Sequence, residues 1–343
     1  MIPIRCSIFF LNRIQYLIHF LFLGASFVFE ATVQGTYGQN CACFFRCESG
    51  QVRVWDLGSR RVQQELKAHG DKTILWLHFY DGSLFSQGRD GWVRRWSMEE
   101  GRADICASFT VEGLSFCKAA LSKGMSDEVE ETGCQLLAVP GKEMDEVCLY
   151  DVASGHQVGT LKSAADSSLG MVMCMQFLQI SPGAGLLLLA GYESGSLCLW
   201  DIRMGQLLSR LSTGQDPIFC LAWDGLKGTC VSAGPGESLE TWKLNNGKHD
   251  SSIPLPQHGV SALKIRGDGR LLAAGCWDGR IRIWSRHHYR PLASLAFHRQ
   301  GLCDLDFADP SPRAAHCTGR RLLAAASRDG QLSVWDLYSD KRR

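Results

Sequence analysis

Gln51-Val52-Arg53-Val54-Trp55-Asp56 is one of seven stretches in this chain that close an alternating run on an aromatic residue. The next three are Trp92-Val93-Arg94-Arg95-Trp96-Ser97, Glu146-Val147-Cys148-Leu149-Tyr150-Asp151 and Ser196-Leu197-Cys198-Leu199-Trp200-Asp201. The last three are Ser238-Leu239-Glu240-Thr241-Trp242-Lys243, Arg280-Ile281-Arg282-Ile283-Trp284-Ser285 and Gln331-Leu332-Ser333-Val334-Trp335-Asp336. Successive closing aromatics lie 41, 54, 50, 42, 42 and 51 residues apart. The positions one and three before the aromatic are apolar in most copies, with Arg95 and Thr241 as exceptions. That is the period of a strand with a buried face. A repeat near 42 residues with a Trp-Asp ending predicts four-stranded antiparallel blades. Seven copies predict an all-β, seven-bladed propeller.

Working outward, a turn residue lies five positions before six of the seven aromatics: Gly50, Gly91, Asp145, Gly195, Gly279 and Gly330. Glu237 takes that place in the fifth copy. Asp90-Gly91, Asp278-Gly279 and Asp329-Gly330 are hairpin turns between alternating strands. Second strands are expected at 82–86, 135–139, 186–190, 229–233, 271–274 and 322–326. Innermost strands are expected at 74–79, 218–223, 260–265 and 302–307. Two insertions lengthen the repeat. Ser122 to Gly133 carries Asp127, Glu128, Glu130 and Glu131 and reads as a solvated acidic loop. Ala308 to Gly319 contains Pro310 and Pro312 and lengthens a hairpin of the last blade.

The bulk numbers narrow the function classes. The chain has 343 residues, 45% of them hydrophobic, and 36 basic against 35 acidic residues, for a net charge of +1. Such a balance provides no field for nucleic acid or an anionic membrane. The 15 cysteines are scattered, and Cys148, Cys198, Cys220 and Cys230 fall inside apolar strands. They read as free thiols of a reducing compartment. Cys41, Cys43 and Cys47 lack a fourth ligand and the usual two-residue gap, so no metal is expected. No phosphate-cradling Gly-x-x-x-x-Gly-Lys-Ser/Thr occurs, and no Gly-x-Gly-x-x-Gly precedes a helix, so no nucleotide cofactor is expected.

Residues 1–40 form an atypical hydrophobic amino terminus, and residues 41–343 form the propeller. Only Asp336 to Arg343 follow the last closing Trp, too few for another blade. The strand that closes the ring is therefore expected from before Cys41, with Ser26 to Val33 as the candidate. Residues 6–29 are apolar enough to raise a secretory signal or a membrane anchor as an alternative. The uninterrupted run is shorter than the ~20 residues a spanning helix needs, and strand-interior thiols argue against an oxidising lumen.

A group of local motifs carries a closer resemblance. These are Gln87-Gly88-Arg89-Asp90, Leu137-Ala138-Val139-Pro140-Gly141, Asp145-Glu146-Val147 and Leu188-Leu189-Ala190-Gly191-Tyr192-Glu193 with Gly195-Ser196. Trp277-Asp278 with Arg280-Ile281-Arg282, and Leu295-Ala296-Phe297-His298, complete the group. Over roughly residues 46 to 340 the chain resembles the vertebrate G-protein-beta-like proteins of the WD-repeat superfamily. The resemblance fails over the first 45 residues. It implies a non-catalytic interaction scaffold of cytoplasm and nucleus. It also implies a role, through a co-chaperone complex, in maturing phosphatidylinositol-3-kinase-related kinases, the client partners.

The resemblance also assigns residues. His69, Ser86, Asp90 and Trp96 have the spacing of the hydrogen-bonded tetrad of WD-repeat blades. Its imidazole would link the turn Asp to the strand Ser and the Trp N–H. His258 with Asp278 and Trp284, and His298 with Asp329 and Trp335, look like incomplete versions, because Ala274 and Ala325 stand where Ser86 does. Ser86, His69 and Asp90 also spell a hydrolase triad, although no nucleophile elbow surrounds Ser86. A hydrolase is thus the rival from another class. A G-protein beta-type signalling subunit is the nearer rival. Against it, residues 1–45 hold no sustained heptad to grip a gamma subunit.

Partner binding is expected at one rim, from the residue before each turn Asp or its equivalent. That set is Glu48, Arg89, Glu143, Glu193, Pro235, Trp277 and Arg328. Arg and Trp dominate binding hot spots, which singles out Trp277, Arg328 and Arg89, with Glu193 beside them as a further candidate.

Overall fold

The computed structural model describes residues 8–11, 14–20, 36–37, 40–46, 50–56, 61–99, 102–113, 115–123, 134–163, 169–178, 185–212, 216–244, 247–308 and 321–337. Over 8–46, and at 56 and 99, the description is of the backbone alone. The described strands form six four-stranded sheets and one five-stranded sheet. The chain divides into two compact units, Met1–Asp90 with Arg95–Cys106 and Ser261–Arg343, and Gly91–Arg94 with Ala107–Val260. Ile74–Tyr80, Ser83–Gly88, Trp92–Glu99 and Arg102–Thr110 form one four-stranded sheet.

In the first unit, Thr36–Tyr37, Asn40–Arg46, Gln51–Asp56 and Arg61–Lys67 form one sheet, adjacent in that order. Val260–Ile265, whose first residue is counted with the second unit, Leu271–Cys276, Arg280–Ser285 and Arg290–Ala296 form another. The five-stranded sheet joins both ends of the chain. Its order is Ile8–Leu11, Ile14–Phe20, Leu332–Asp336, Leu322–Ser327, Leu302–Phe307. Ile14–Phe20 pairs antiparallel with the last closing strand, Leu17 opposite Trp335 and Phe20 opposite Leu332. Ser26 to Val33, the segment expected in this place, lies outside the described residues, and the edge is taken by a strand further upstream.

In the second unit, Ala120–Leu121, Leu136–Pro140, Val147–Asp151 and Gln157–Leu161 form a sheet. Val172–Leu178, Leu187–Tyr192, Ser196–Asp201 and Gln206–Ser212 form the next. Cys220–Asp224, Thr229–Ala233, Ser238–Lys243 and Lys248–Pro254 form the third. Five of the six second strands end one or two residues later than expected, because pairing continues up to the turn, while Thr229–Ala233 lies where expected. Most of the acidic insertion (124–133) and of the Pro-containing insertion (309–320) lies outside the described residues.

Burial follows strand rank. Ser83–Gly88, Leu187–Tyr192 and Leu271–Cys276 are buried at every position. Their sheets are therefore covered on both faces. The outer strand Gln206–Ser212 is exposed at five of its seven positions. The closing aromatics Trp55, Trp200 and Trp242 are each about 1% exposed. Full burial of one large apolar side chain is worth roughly 1.5–3 kcal/mol, so each repeat contributes an anchor of similar strength. The ladder slips by one residue just before the aromatic at Val54/Trp55, Leu149/Tyr150, Leu199/Trp200, Thr241/Trp242 and Ile283/Trp284. The same bulge twists each closing strand at the same place. Thr241, an exception to the apolar pattern, is buried with its hydroxyl 2.9 Å from the Ser251 carbonyl.

Candidate interaction surface and the buried blade networks

In the first unit the four residues at tetrad spacing meet. The His69 Nδ1 donates to Asp90 Oδ1 at 2.8 Å, and Nε2 lies 2.8 Å from Ser86 Oγ. The Trp96 indole N–H donates to the same hydroxyl at 2.9 Å. One proton arrangement satisfies all three contacts. Trp96 donates to Ser86, Ser86 to Nε2 and the Nδ1 proton to Asp90. The His–Asp and His–Ser distances alone would suit a triad. Access decides against that reading, because Ser86 is 0% and His69 2% exposed, and a nucleophile must reach its substrate.

The last sheet corrects the sequence reading. His298 Nε2 lies 2.8 Å from Ser333 Oγ, and Trp335 donates to that hydroxyl at 2.9 Å. Ser333 is the cross-strand partner of Ala325, so the network is completed from the closing strand. The His298–Asp329 contact is longer, 3.3 Å to the nearer oxygen. In the sheet containing Trp284 the arrangement differs. Both oxygens of Asp278 are held by the Arg282 guanidinium, at 2.9 and 2.6 Å. In the second unit, Trp242 donates to Ser232 at 2.8 Å. Ser232 precedes Trp242 by ten residues, as Ser86 precedes Trp96, so that offset could have found it.

The rim residues are placed by backbone contacts. Arg89, Glu143, Glu193, Trp277 and Arg328 are exposed and Pro235 is half-buried, while Glu48 lies outside the described residues. In the first unit, the Arg89 N–H donates to the Thr73 carbonyl at 2.8 Å. The Arg328 N–H donates to the Gly301 carbonyl at 3.0 Å. Gly301 in turn packs so closely on Trp277 that a Cβ there would lie 2.9 Å from the Trp277 carbonyl oxygen. Trp277 and Arg328 thus stand on a common backbone junction, with the indole side chain about 39% exposed. Arg299, also exposed, donates its backbone N–H to Asp329 at 2.9 Å. In the second unit, Glu193 accepts the Met171 N–H at 3.2 Å, and Glu143 pairs with Lys162 at 2.7 Å.

A repeated closing strand, a buried Trp–Ser–His–Asp network and a rim of turn residues are the marks of one architecture. Residues 250–285 and 289–336 match the WD domain, G-beta repeat family. The mouse guanine nucleotide-binding protein subunit beta-like protein 1 is 34% identical over 304 residues, covering 87% of this chain and 88% of the mouse protein. The chain belongs to this WD-repeat family. It is an all-β WD-repeat propeller protein. ASTRA-associated protein 1 of Aspergillus niger is 24% identical over 400 residues, covering 84% of this chain and 90% of that protein. The Schizosaccharomyces pombe protein of the same name is 31% identical over 109 residues, 32% of this chain and 27% of its own.

WD-repeat propellers work through protein–protein contacts. In the second unit, Thr110, Glu112, Lys142, Glu143, Glu146 and Cys148 line a cavity of about 200 Å³. Burial, then the charges of Glu146 and Glu112, push the Cys148 thiol up, away from the reactive thiolate. Burial likewise pushes Cys198 up to about 12. Among the described residues no group of three His, Cys, Asp or Glu could hold a metal ion, and no helix is long and apolar enough to cross a membrane.

Proposed function

We propose that this protein is a non-catalytic scaffold of cytosol and nucleus. Its task is that of an adaptor in co-chaperone-assisted maturation of phosphatidylinositol-3-kinase-related kinases. In this reading its sheets close as a seven-bladed ring over residues 41–343, and the amino-terminal segment supplies the closing strand. The observation that carries the scaffold reading is the junction at Gly301. It fixes Trp277 and Arg328, two residue types that dominate hot spots, on rigid turns with their side chains outward. A preset backbone lowers the ordering cost of binding. The specific pathway rests on the family resemblance and on relatives named for association with ASTRA.

The test is affinity purification of the tagged full chain from eukaryotic cells. Wild type should co-purify co-chaperone components and kinase clients. Trp277→Ala with Arg328→Glu should lose them while melting normally, because neither residue is a member of the His69–Ser86–Asp90–Trp96 tetrad. Glu143→Ala, which removes an exposed ion pair of little stabilising value, should capture as wild type does. Retention of every partner by the folded double variant would move the binding site elsewhere.

A further inference from the structure

We infer that the Trp277–Arg328–Arg299 surface takes an acidic protein segment, one whose carboxylates flank an apolar side chain. This rests on the scaffold reading and specifies the partner chemistry of the same rim.

Two carboxylates sit at these turns, and both are committed inward. Asp278 is held by both nitrogens of the Arg282 guanidinium and by the Arg280 backbone N–H. Asp329 accepts from His298, from the Arg299 backbone N–H at 2.9 Å and from the Gln331 N–H at 3.0 Å. Burial disfavours its charge, but these hydrogen bonds, His298 first, keep its carboxyl below the ordinary value. It stays ionised and occupied.

The cations at the same turns are not matched. Arg299 and Arg328 are both exposed, and among the described residues neither guanidinium is paired with a carboxylate. Their backbones are nevertheless fixed, through Asp329 and Gly301. Two exposed guanidiniums therefore stand on short rigid turns beside a half-exposed indole. Guanidinium forks match carboxylates in a planar, two-bonded geometry. The indole offers flat apolar area next to them. Together they fit a peptide that alternates acidic and apolar residues, and they disfavour a basic one.

The experiment uses the intact chain and a fluorescein-labelled twelve-residue peptide of Asp and Glu with one central Leu. Its Asn/Gln counterpart and its Lys counterpart are the other probes. Anisotropy should show binding of the acidic peptide that weakens as salt rises from 50 to 300 mM, as screening requires. The neutral peptide should bind at least tenfold more weakly, and the Lys peptide should not bind. Arg328→Glu and Arg299→Glu should each weaken the acidic peptide tenfold or more. Trp277→Ala should weaken it severalfold with an unchanged salt dependence. Arg290→Glu, the same charge reversal on an exposed strand of the same unit, should change it less than twofold. Melting curves establish that each variant is folded. No preference for the acidic peptide, or equal loss with Arg290→Glu, overturns the inference. If that happens while Trp277→Ala/Arg328→Glu still loses its cellular partners, the rim remains the scaffold surface and only the acidic chemistry falls. If the double variant also keeps its partners, both fall.

Discussion

Ser333 stands directly across the ladder from Ala325, and its hydroxyl serves both the Trp335 indole and the His298 ring. Cross-strand partners share a face of the sheet. A hydroxyl on either strand can therefore reach the same pair of buried nitrogens. Removing it as Ser333→Ala leaves both without their partner, at a cost of ~1–3 kcal/mol. Moving it back, as Ala325→Ser with Ser333→Ala, should recover at least half of the loss. Urea denaturation of the three variants measures this. Equal stabilities for Ser333→Ala and wild type would show that the network carries no net stability.

The network in the other sheet behaves as one unit. His69→Ala and Asp90→Ala each break the path from the turn carboxylate to Trp96. Each should lower stability by ~1–3 kcal/mol, and the double variant should lose clearly less than the sum. Additive losses in a double-mutant cycle would mean that the contacts act independently.

Acid should expose the role of Asp278. Burial disfavours its charge, but the hydrogen bonds from Arg282 and the Arg280 backbone, and both arginine charges, hold its carboxyl below the ordinary value. A lowered folded value stabilises above the unfolded one, near ~3.9, and the gain disappears as pH falls through the folded value. Asp278→Asn should therefore melt lower than wild type at pH 7. The gap should shrink steadily between pH 5 and pH 3. A gap independent of pH would assign the effect to shape rather than charge.

How much of this was legible depended on the kind of information required. The closing strands announced themselves because a strand buried on one face repeats with period two and ends on a large anchor. His69, Ser86, Asp90 and Trp96 were legible because their offsets within one repeat are fixed by strand and turn lengths. Ser232 shared one such offset and went unread. Ser333 could not be found by offset, since its equivalence to the Ser86 position exists only across the ladder. The Arg282–Asp278 pair was missed because an Arg on the closing strand reads as exposed, while this one turns inward to a turn carboxylate. The closing strand at Ile14–Phe20 was placed too far downstream, because an apolar stretch without alternation sets no register.

Pairing of Ile14–Phe20 with Leu332–Asp336 carries its own consequence. Without it the last closing strand is an edge with unpaired backbone groups, which templates association. A chain starting at residue 21 should give less soluble protein and self-associate by light scattering at micromolar concentration. A stable monomer with an unchanged melting transition would show that another segment closes this sheet.

Gly301 offers the sharpest separation of rim geometry from rim chemistry. A Cβ at this position would lie 2.9 Å from the Trp277 carbonyl oxygen and 3.2 Å from its Cα. Both are backbone atoms, so neither can swing away, and the turns carrying Trp277 and Arg328 must separate. Gly301→Ala should therefore reduce partner capture severalfold with every hot-spot side chain still present. The stability cost should be of the order of an overpacked contact, ~1–3 kcal/mol. Gly225→Ala is the matched control, because its Cβ would meet only the Trp223 indole nitrogen at an ordinary 3.5 Å. Quantitative co-purification from cells, normalised to folded bait, distinguishes the cases. Capture by Gly301→Ala equal to that of Gly225→Ala would mean that partners read the rim side chains without regard to the junction that sets their spacing.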